Sequence, residues 1–186
     1  MSGRELFEIL EKRRPAKGDI IDRLIERRCV AELAVLVSDS AGFTRRTHEI
    51  GVLRALADVR RAYIRFRPIV AKHKGEVVCQ KVDNLVAVFP DAVRAVRAAL
   101  ELRRASRREP VRICMGIDVG PVLRLEDDVF GAPVNVASKL GEDLAGRDEI
   151  LVTGEVARRV KGKARLGYSR SAEIGGLEFE LYKLRG

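Results

Sequence analysis

Tryptophan is absent from this 186-residue chain, aromatic residues make up only 5% of it, and there are two histidines and three cysteines. Each shortage excludes something. With so few rings, a base-stacking surface for nucleic acid is thinly supplied. Cys29, Cys79 and Cys114 are odd in number and widely spaced, so they form neither a disulfide framework nor a CxxC-type metal pair. A reducing cytoplasm is the expected compartment. His48 and His73 are too isolated for a His-ligated metal centre. No apolar run approaches the ~18 residues of a membrane-spanning helix. The opening MSGRELFEILEKRRPAKGD lacks the apolar stretch of a secretory signal.

Arginine is what the chain has in excess. Lys and Arg number 36 against 27 Asp and Glu, a net charge of +9, and 34% of residues are charged. Such a surface points first to polyanions, either nucleic acid or an anionic membrane. Much of it belongs to helix faces turned away from apolar stripes: Arg54, Arg61 and Arg65, then Arg94, Arg97, Arg104, Arg107 and Arg108. A chain of this length can bury roughly 70% of its unfolded surface and hold one domain without disulfides.

Hydrophobic periodicity divides the chain into an N-terminal helical arm, 1–30, and a main domain, 31–186. The arm reads as two helices broken near Pro15, with Leu6, Ile9 and Leu10 on one stripe and Ile20, Ile21, Leu24 and Ile25 on the other. Asp19 is a candidate N-cap. The arm either packs on the main domain or contacts a regulatory partner or the second copy of a dimer. Next come a buried strand at 31–38 and a helix from 44 to 71 with Leu53, Leu56, Val59, Tyr63, Phe66 and Val70 on one face. A hairpin follows, 76–82 and 85–89, with its turn at Asp83-Asn84. A second helix starts at Pro90-Asp91. The strand 111–119 is expected to break at Gly120-Pro121 before a short strand at 122–125. A loop from 128, a helix from about 133, a strand at 149–153, a short helix at 154–160 and strands at 165–169 and 177–184 complete the order. This order fits an α+β fold: a ferredoxin-like βααβ-type core with a mainly antiparallel sheet and helices on one face.

Asp39 ends the first strand where a Gly-containing turn leads into a helix. There a carboxylate can hold a hard cation, and the amides of Ser40 to Thr44, including those of Gly42 and Phe43, can meet phosphate oxygens. Asp-x-x-Gly is also ordinary turn chemistry. Asp83 stands at the hairpin tip, equally compatible with a simple turn. If the first strand and the hairpin are sheet neighbours, the two carboxylates share one edge and make a Mg²⁺ or Mn²⁺ site. Asn135 and Lys139, four residues apart on one helix, share a face. An amide and a cation there can orient a sugar and neutralise charge on phosphorus, or be a cap and a solvated lysine.

These segments, in this order, resemble the catalytic domain of the class III adenylate and guanylate cyclases over about residues 33–184. VSDSAGFT resembles the family's metal-binding opening, and EVVCQKVDNLVAVF its hairpin with the second metal aspartate. VRICMGIDVGPV resembles the following strand and turn, and DVFGAPVNVASKLGEDLAG the substrate and transition-state helix. The resemblance implies a homodimer with its active sites between protomers, acting on a nucleoside triphosphate, ATP foremost. Asp39 and Asp83 would hold two Mg²⁺ or Mn²⁺ ions, with Ser40, Gly42, Phe43 and Thr44 around the phosphates. Asn135 of the other protomer would orient the ribose, and Lys139 would stand where the family has a transition-state arginine. Asp128 would read the purine edge. Cyclic AMP and pyrophosphate would be the products.

Three further positions depart from the pattern. Val82 replaces the usual glycine before the second aspartate. Cys79 occupies the place of the purine-reading lysine, with Lys81 expected to face the other way. Gly175 takes the place of the triphosphate lysine, for which Lys161, Lys163 or Arg170 are candidate replacements. The alternative implied by these departures is a weakly active or inactive cyclase-homology domain that binds nucleotide or dimerises. A nucleic-acid-binding ferredoxin-like domain has only net charge in its favour.

Overall fold

A computed structural model describes residues 1–12 and 18–186, the side chains of residues 18 and 19 excepted. The break expected near Pro15 and the Asp19 cap therefore lie outside the described residues. Helices α1 (Gly3–Glu11) and α2 (Gly18–Cys29) form the arm. Ser2 and Glu5 close a capping box at the start of α1. Leu6 is buried, Phe7 meets Phe130 edge-on with ring centroids 6.2 Å apart, and the Met1 amino group lies 3.0 Å from Glu126. Ile20 and Leu24 are exposed, so only part of the second stripe is used.

The main domain opens with β1 (Val30–Ser40), followed by α3 (Phe43–Ile50), α4 (Val52–Lys72), β2 (Glu76–Lys81), β3 (Asn84–Phe89), α5 (Ala92–Ser106) and β4 (Ile113–Arg124). The strands stand in the order β2-β3-β1-β4, all antiparallel, which is the ferredoxin-like arrangement expected from the element order. The short β5 (Val129–Phe130) pairs with β4. Helix α6 (Ala132–Ser138) runs into a π-helical turn, Lys139–Leu144. The sheet is then extended beyond β4 by β6 (Ile150–Thr153), parallel to β4, and by the hairpin of β8 (Leu177–Arg185) with β7 (Arg165–Ile174). A one-and-a-half-turn helix, α7 (Gly154–Arg159), connects β6 to β7.

Buried on both faces, Ala34 to Val37 explain the continuous apolar run in β1. Ala34 and Leu36 join Ile113, Met115 and Ile117 beneath Val59, Tyr63 and Phe66 of α4 and Val96, Ala99 and Leu102 of α5. Both long helices lie on that face. Val35 and Val37 meet Ala137 of α6 on the other. There the approach is so close that a Cβ on Gly116 would sit 2.1 Å from the Ala137 carbonyl oxygen, and one on Gly141 2.8 Å from that of Val37. Only glycines let this segment lie on the sheet.

Three sequence-based boundaries are corrected. The helix expected over 44–71 is divided at Gly51, whose φ of +83° ends α3 and starts α4 in a new direction. Gly120-Pro121 does not break β4. β6 covers only Met115–Ile117, so by Pro121 the strand has a free edge where a missing N–H costs no ladder bond. The hairpin turn is Val82-Asp83, because Asn84 is already paired with both Lys81 and Asp39.

Candidate active site

Asp39 is the penultimate residue of β1, and its cross-strand neighbour on β3 is Asn84. Asp83 precedes that neighbour, and its carbonyl accepts from the Ser40 N–H at 3.1 Å. The structure thus brings Asp39 and Asp83 together at one sheet edge. Burial first, and then the Asp83 charge, push the Asp39 carboxyl up to about 7. Glu142 and Asp143 of the π turn add further negative field.

Two groups hold this edge that sequence reasoning did not single out. Tyr63 was legible only as part of the apolar stripe of α4. Its buried hydroxyl donates to the Asp83 carbonyl and lies 3.2 Å from that of Ser38, tying the end of β1 to the hairpin tip. Asn84 donates from its side-chain amide to Glu142, while its Oδ1 is buried without a partner. A buried acceptor left over beside two carboxylates suits hydrated cation chemistry. Among the described residues no group of three or more His, Cys, Asp or Glu side chains is arranged to hold a metal ion. The donor set is therefore two carboxylates, which fits Mg²⁺ sharing its remaining positions between water and substrate phosphates.

The amides after Asp39 are only partly available. The Ser40 N–H is taken by Asp83, and the Ala41 N–H by the Arg112 carbonyl at 2.8 Å. Ser40 is therefore corrected as a phosphate-amide donor. Gly42, at φ +79°, starts α3, so the amides of Gly42, Phe43 and Thr44 stand at that helix's N-terminus.

Asn135 on α6 and Lys139, which caps α6 and opens the π turn, are both exposed, and the Lys139 N–H bonds to the Asn135 carbonyl, so their four-residue spacing does place them on one face. Within one chain neither contacts Asp39 or Asp83; Lys139 Nζ is instead 2.6 Å from Asp143. Asp128 lies farther away still. Arg124, next to its turn, is ten strand residues beyond Cys114, the β4 partner of Asp39, or roughly 33 Å at the usual rise. The Asp128 carboxylate accepts from the Val129 N–H at 2.8 Å.

No family model matches the chain. The chain is similar to an adenylate cyclase of Streptomyces griseus, 29% identical over 172 residues and 88% of this chain. It is also 25% identical, over 162 residues and 78% of its length, to a protein of Rhizobium meliloti (strain 1021) provisionally named adenylate cyclase 3. It spans only 41% and 26% of those two proteins. The solved adenylyl cyclase CyaB from P. aeruginosa matches with a TM-score of 0.76 at 21% identity, over 84% of this chain and 95% of that one. The fold is that of a class III adenylyl/guanylyl cyclase domain. Identity is low throughout, so the chain is a divergent sequence on this fold.

The departures from the cyclase pattern now have physical settings. Val82 has φ +41° and an exposed side chain, so a β-branched residue occupies the left-handed turn position that suits glycine. Gly175 and Gly176, at φ +60° and +79°, form the two-residue turn between β7 and β8, where positive φ rather than a cationic side chain decides the residue. Of the replacement cations, Arg170 reaches the π turn, donating to the Leu144 carbonyl at 2.8 Å. Lys163 lines a cavity at the other end of β1, and Lys161 one beside α7. Cys79 faces Val86 and Lys81 faces Asn84, two steps along the same ladder, so both point to one side of β2. The expectation that Lys81 faces away from Cys79 is corrected.

Proposed function

We propose that this domain is a nucleotidyl cyclase converting a nucleoside triphosphate, ATP foremost, to the cyclic monophosphate and pyrophosphate at sites shared by two copies of the chain. The observation that carries the reading is the Asp39–Asp83 edge, where an uncompensated carboxylate pair is held together by Tyr63. When bound there, divalent ions would acidify the ribose 3′-hydroxyl and neutralise triphosphate charge. Asp39 and Asp83 would hold the ions, and the amides of Gly42 to Thr44 would face phosphate oxygens. The 3′-oxygen bonds to the α-phosphorus, the bond to the bridging oxygen breaks, and pyrophosphate and a proton leave.

Asn135 and Lys139 project from the sheet face that also carries Val37, and Asp39 shares its alternation with Val37. A second copy packed on that face would present its Asn135 to the ribose and its Lys139 to the α-phosphoryl oxygens. Dimerisation would separate Lys139 from Asp143. Lysine there neutralises charge without arginine's two-pronged donor. Lys81, on the Cys79 side of β2, supplies a cation near the base position.

Incubation of the protein with ATP, GTP, CTP or UTP and Mn²⁺ or Mg²⁺ tests this. Cyclic product is expected with ATP, and absent with Asp39→Ala or Asp83→Ala. Product no greater than in those controls with any nucleotide overturns the enzyme reading. The glycine turn at Gly175 and the Lys139–Asp143 pair favour one alternative, a nucleotide-binding module with little turnover. Titration with a non-hydrolysable ATP analogue and Mn²⁺ would then still give saturable binding.

A further inference from the structure

At the other end of β1 the charge is reversed. Glu32 begins that end, seven strand residues or roughly 23 Å from Asp39. A cavity of about 670 Å³ opens there, floored by Ala92, Val93 and Val119. Its volume lies in the usual range of small-molecule sites. Val119 belongs to the core under α4 and α5, so the cavity is on the sheet face opposite α6 as well as at the opposite end.

Cations reach it from four elements: the end of α4, the first turns of α5, α7, and the turn after α7. Some are already matched. Lys72 lies 2.9 Å from Glu101, Arg94 pairs with Asp91, and Arg159 lies between Glu32 and Glu155. Both carboxylates lining the cavity, Glu32 and Asp91, are therefore held by arginines, and Asp91 also caps α5. Among the described residues Lys74, Arg97 and Lys163 have no carboxylate partner, and each comes from a different segment of chain.

The backbone at Lys74 adds a second observation. Lys74 has φ +58°, the left-handed conformation at a helix end that glycine takes without strain. Glycine is needed one residue later, because a Cβ on Gly75 would sit 2.3 Å from the Phe89 ring. Helix α4 thus stops with an ammonium group, rather than a bare glycine, at the cavity rim.

We propose that this cavity binds an oligophosphate anion at a site separate from the Asp39–Asp83 edge. Three unmatched cations converging on one recess suit a ligand with several negative oxygens. A single carboxylate would leave two of them unmatched. The same chemistry is offered by free inorganic oligophosphate and by the phosphate tail of a nucleotide.

Isothermal titration of the whole chain with sodium tripolyphosphate, and separately with ATP, tests the site in EDTA at physiological ionic strength, where Asp39 and Asp83 have no divalent ion. Saturable one-to-one binding is expected. It should weaken roughly tenfold or more in the Arg97→Gln/Lys163→Gln double variant and stay within twofold in Lys139→Gln. Lys74→Gly, which relaxes the backbone while removing the charge, should weaken it too, and decides the matter if the double variant does not fold. Tighter binding of ATP than of tripolyphosphate would make the nucleotide tail the source; the reverse would make it the free anion. Absence of saturable binding to either probe, binding indifferent to Lys74→Gly, or binding lost in Lys139→Gln overturns the proposal.

Discussion

The two ends of β1 differ in the sign of their unbalanced charge. At the C-terminal end Asp39 and Asp83 are half-buried side by side, with Glu142 and Asp143 adding to the same field. At the N-terminal end Lys74, Arg97 and Lys163 surround a recess whose own carboxylates are already paired. A chain of net charge +9 could have matched its acids with neighbouring arginines everywhere. It does so on the helix surfaces, as in Arg61–Asp58 and Arg65–Glu109, and leaves the sheet ends unmatched. Exposed pairs of that kind contribute little, about 0–1 kcal/mol each. The informative groups are those the fold brings together without a counter-ion.

The acidic end is broken most severely by removing a carboxylate. Asp39→Ala or Asp83→Ala should lower cyclic-product formation by at least on the order of 100- to 1,000-fold. Arg97→Gln/Lys163→Gln, measured at saturating nucleoside triphosphate, should leave the rate within about twofold, since about 23 Å of strand separates the ends. A comparable loss from both variants would show that the ends are not independent.

Next in size is Tyr63→Phe, which keeps the ring and removes only the hydroxyl joining β1 to the hairpin tip. Urea unfolding should show about 1 kcal/mol less stability, because the Asp83 carbonyl keeps the Ser40 N–H but loses its second donor, and Mn²⁺ affinity should fall with it. Unchanged Mn²⁺ affinity would mean that the carboxylates are positioned without this tie.

The Asp39 carboxyl also gives the acidic end a pH signature. It is raised from the usual 3.8 to about 7, so between those values the folded chain holds a proton that the unfolded chain releases. Metal-free stability should therefore fall as pH rises from about 4 to about 7. Because the metal takes the deprotonated group, stabilisation by Mn²⁺ should grow over the same range. Melting temperatures across this pH range with and without Mn²⁺ check both signs, and Asp39→Asn should flatten the metal-free curve.

Val82→Gly carries the smallest effect. It relieves a β-branched residue at φ +41° whose exposed side chain loses little packing. The gain should be no more than about 1 kcal/mol, since glycine also costs chain entropy. A clear loss of stability would show that Val82 makes contacts outweighing its backbone strain.

Much of this was legible from residue order. An apolar run ending in Asp39 and a hairpin tipped by Asp83 predict neighbouring carboxylates once the two segments pair. The strand β1 is buried on both faces and can scarcely be placed elsewhere than mid-sheet. Less legible were features that depend on what lies alongside. Pro121 looks like a strand breaker until β6 is seen to end short of it. Tyr63 looks like any stripe residue until its hydroxyl meets two carbonyls. The amides of Ser40 and Ala41 look free until Asp83 and Arg112 take them.

By itself the sequence determined the α+β class, the ferredoxin-like strand order and the carboxylate pair, because hydrophobic period and turn chemistry act over a few neighbouring residues. Tertiary structure alone decided which polar groups are already satisfied. That settled the loss of the Ser40 amide to Asp83 and of the Ala41 amide to Arg112. It also set three unmatched cations around one cavity. Each of these depends on groups distant in sequence, whose separation only the folded sheet fixes.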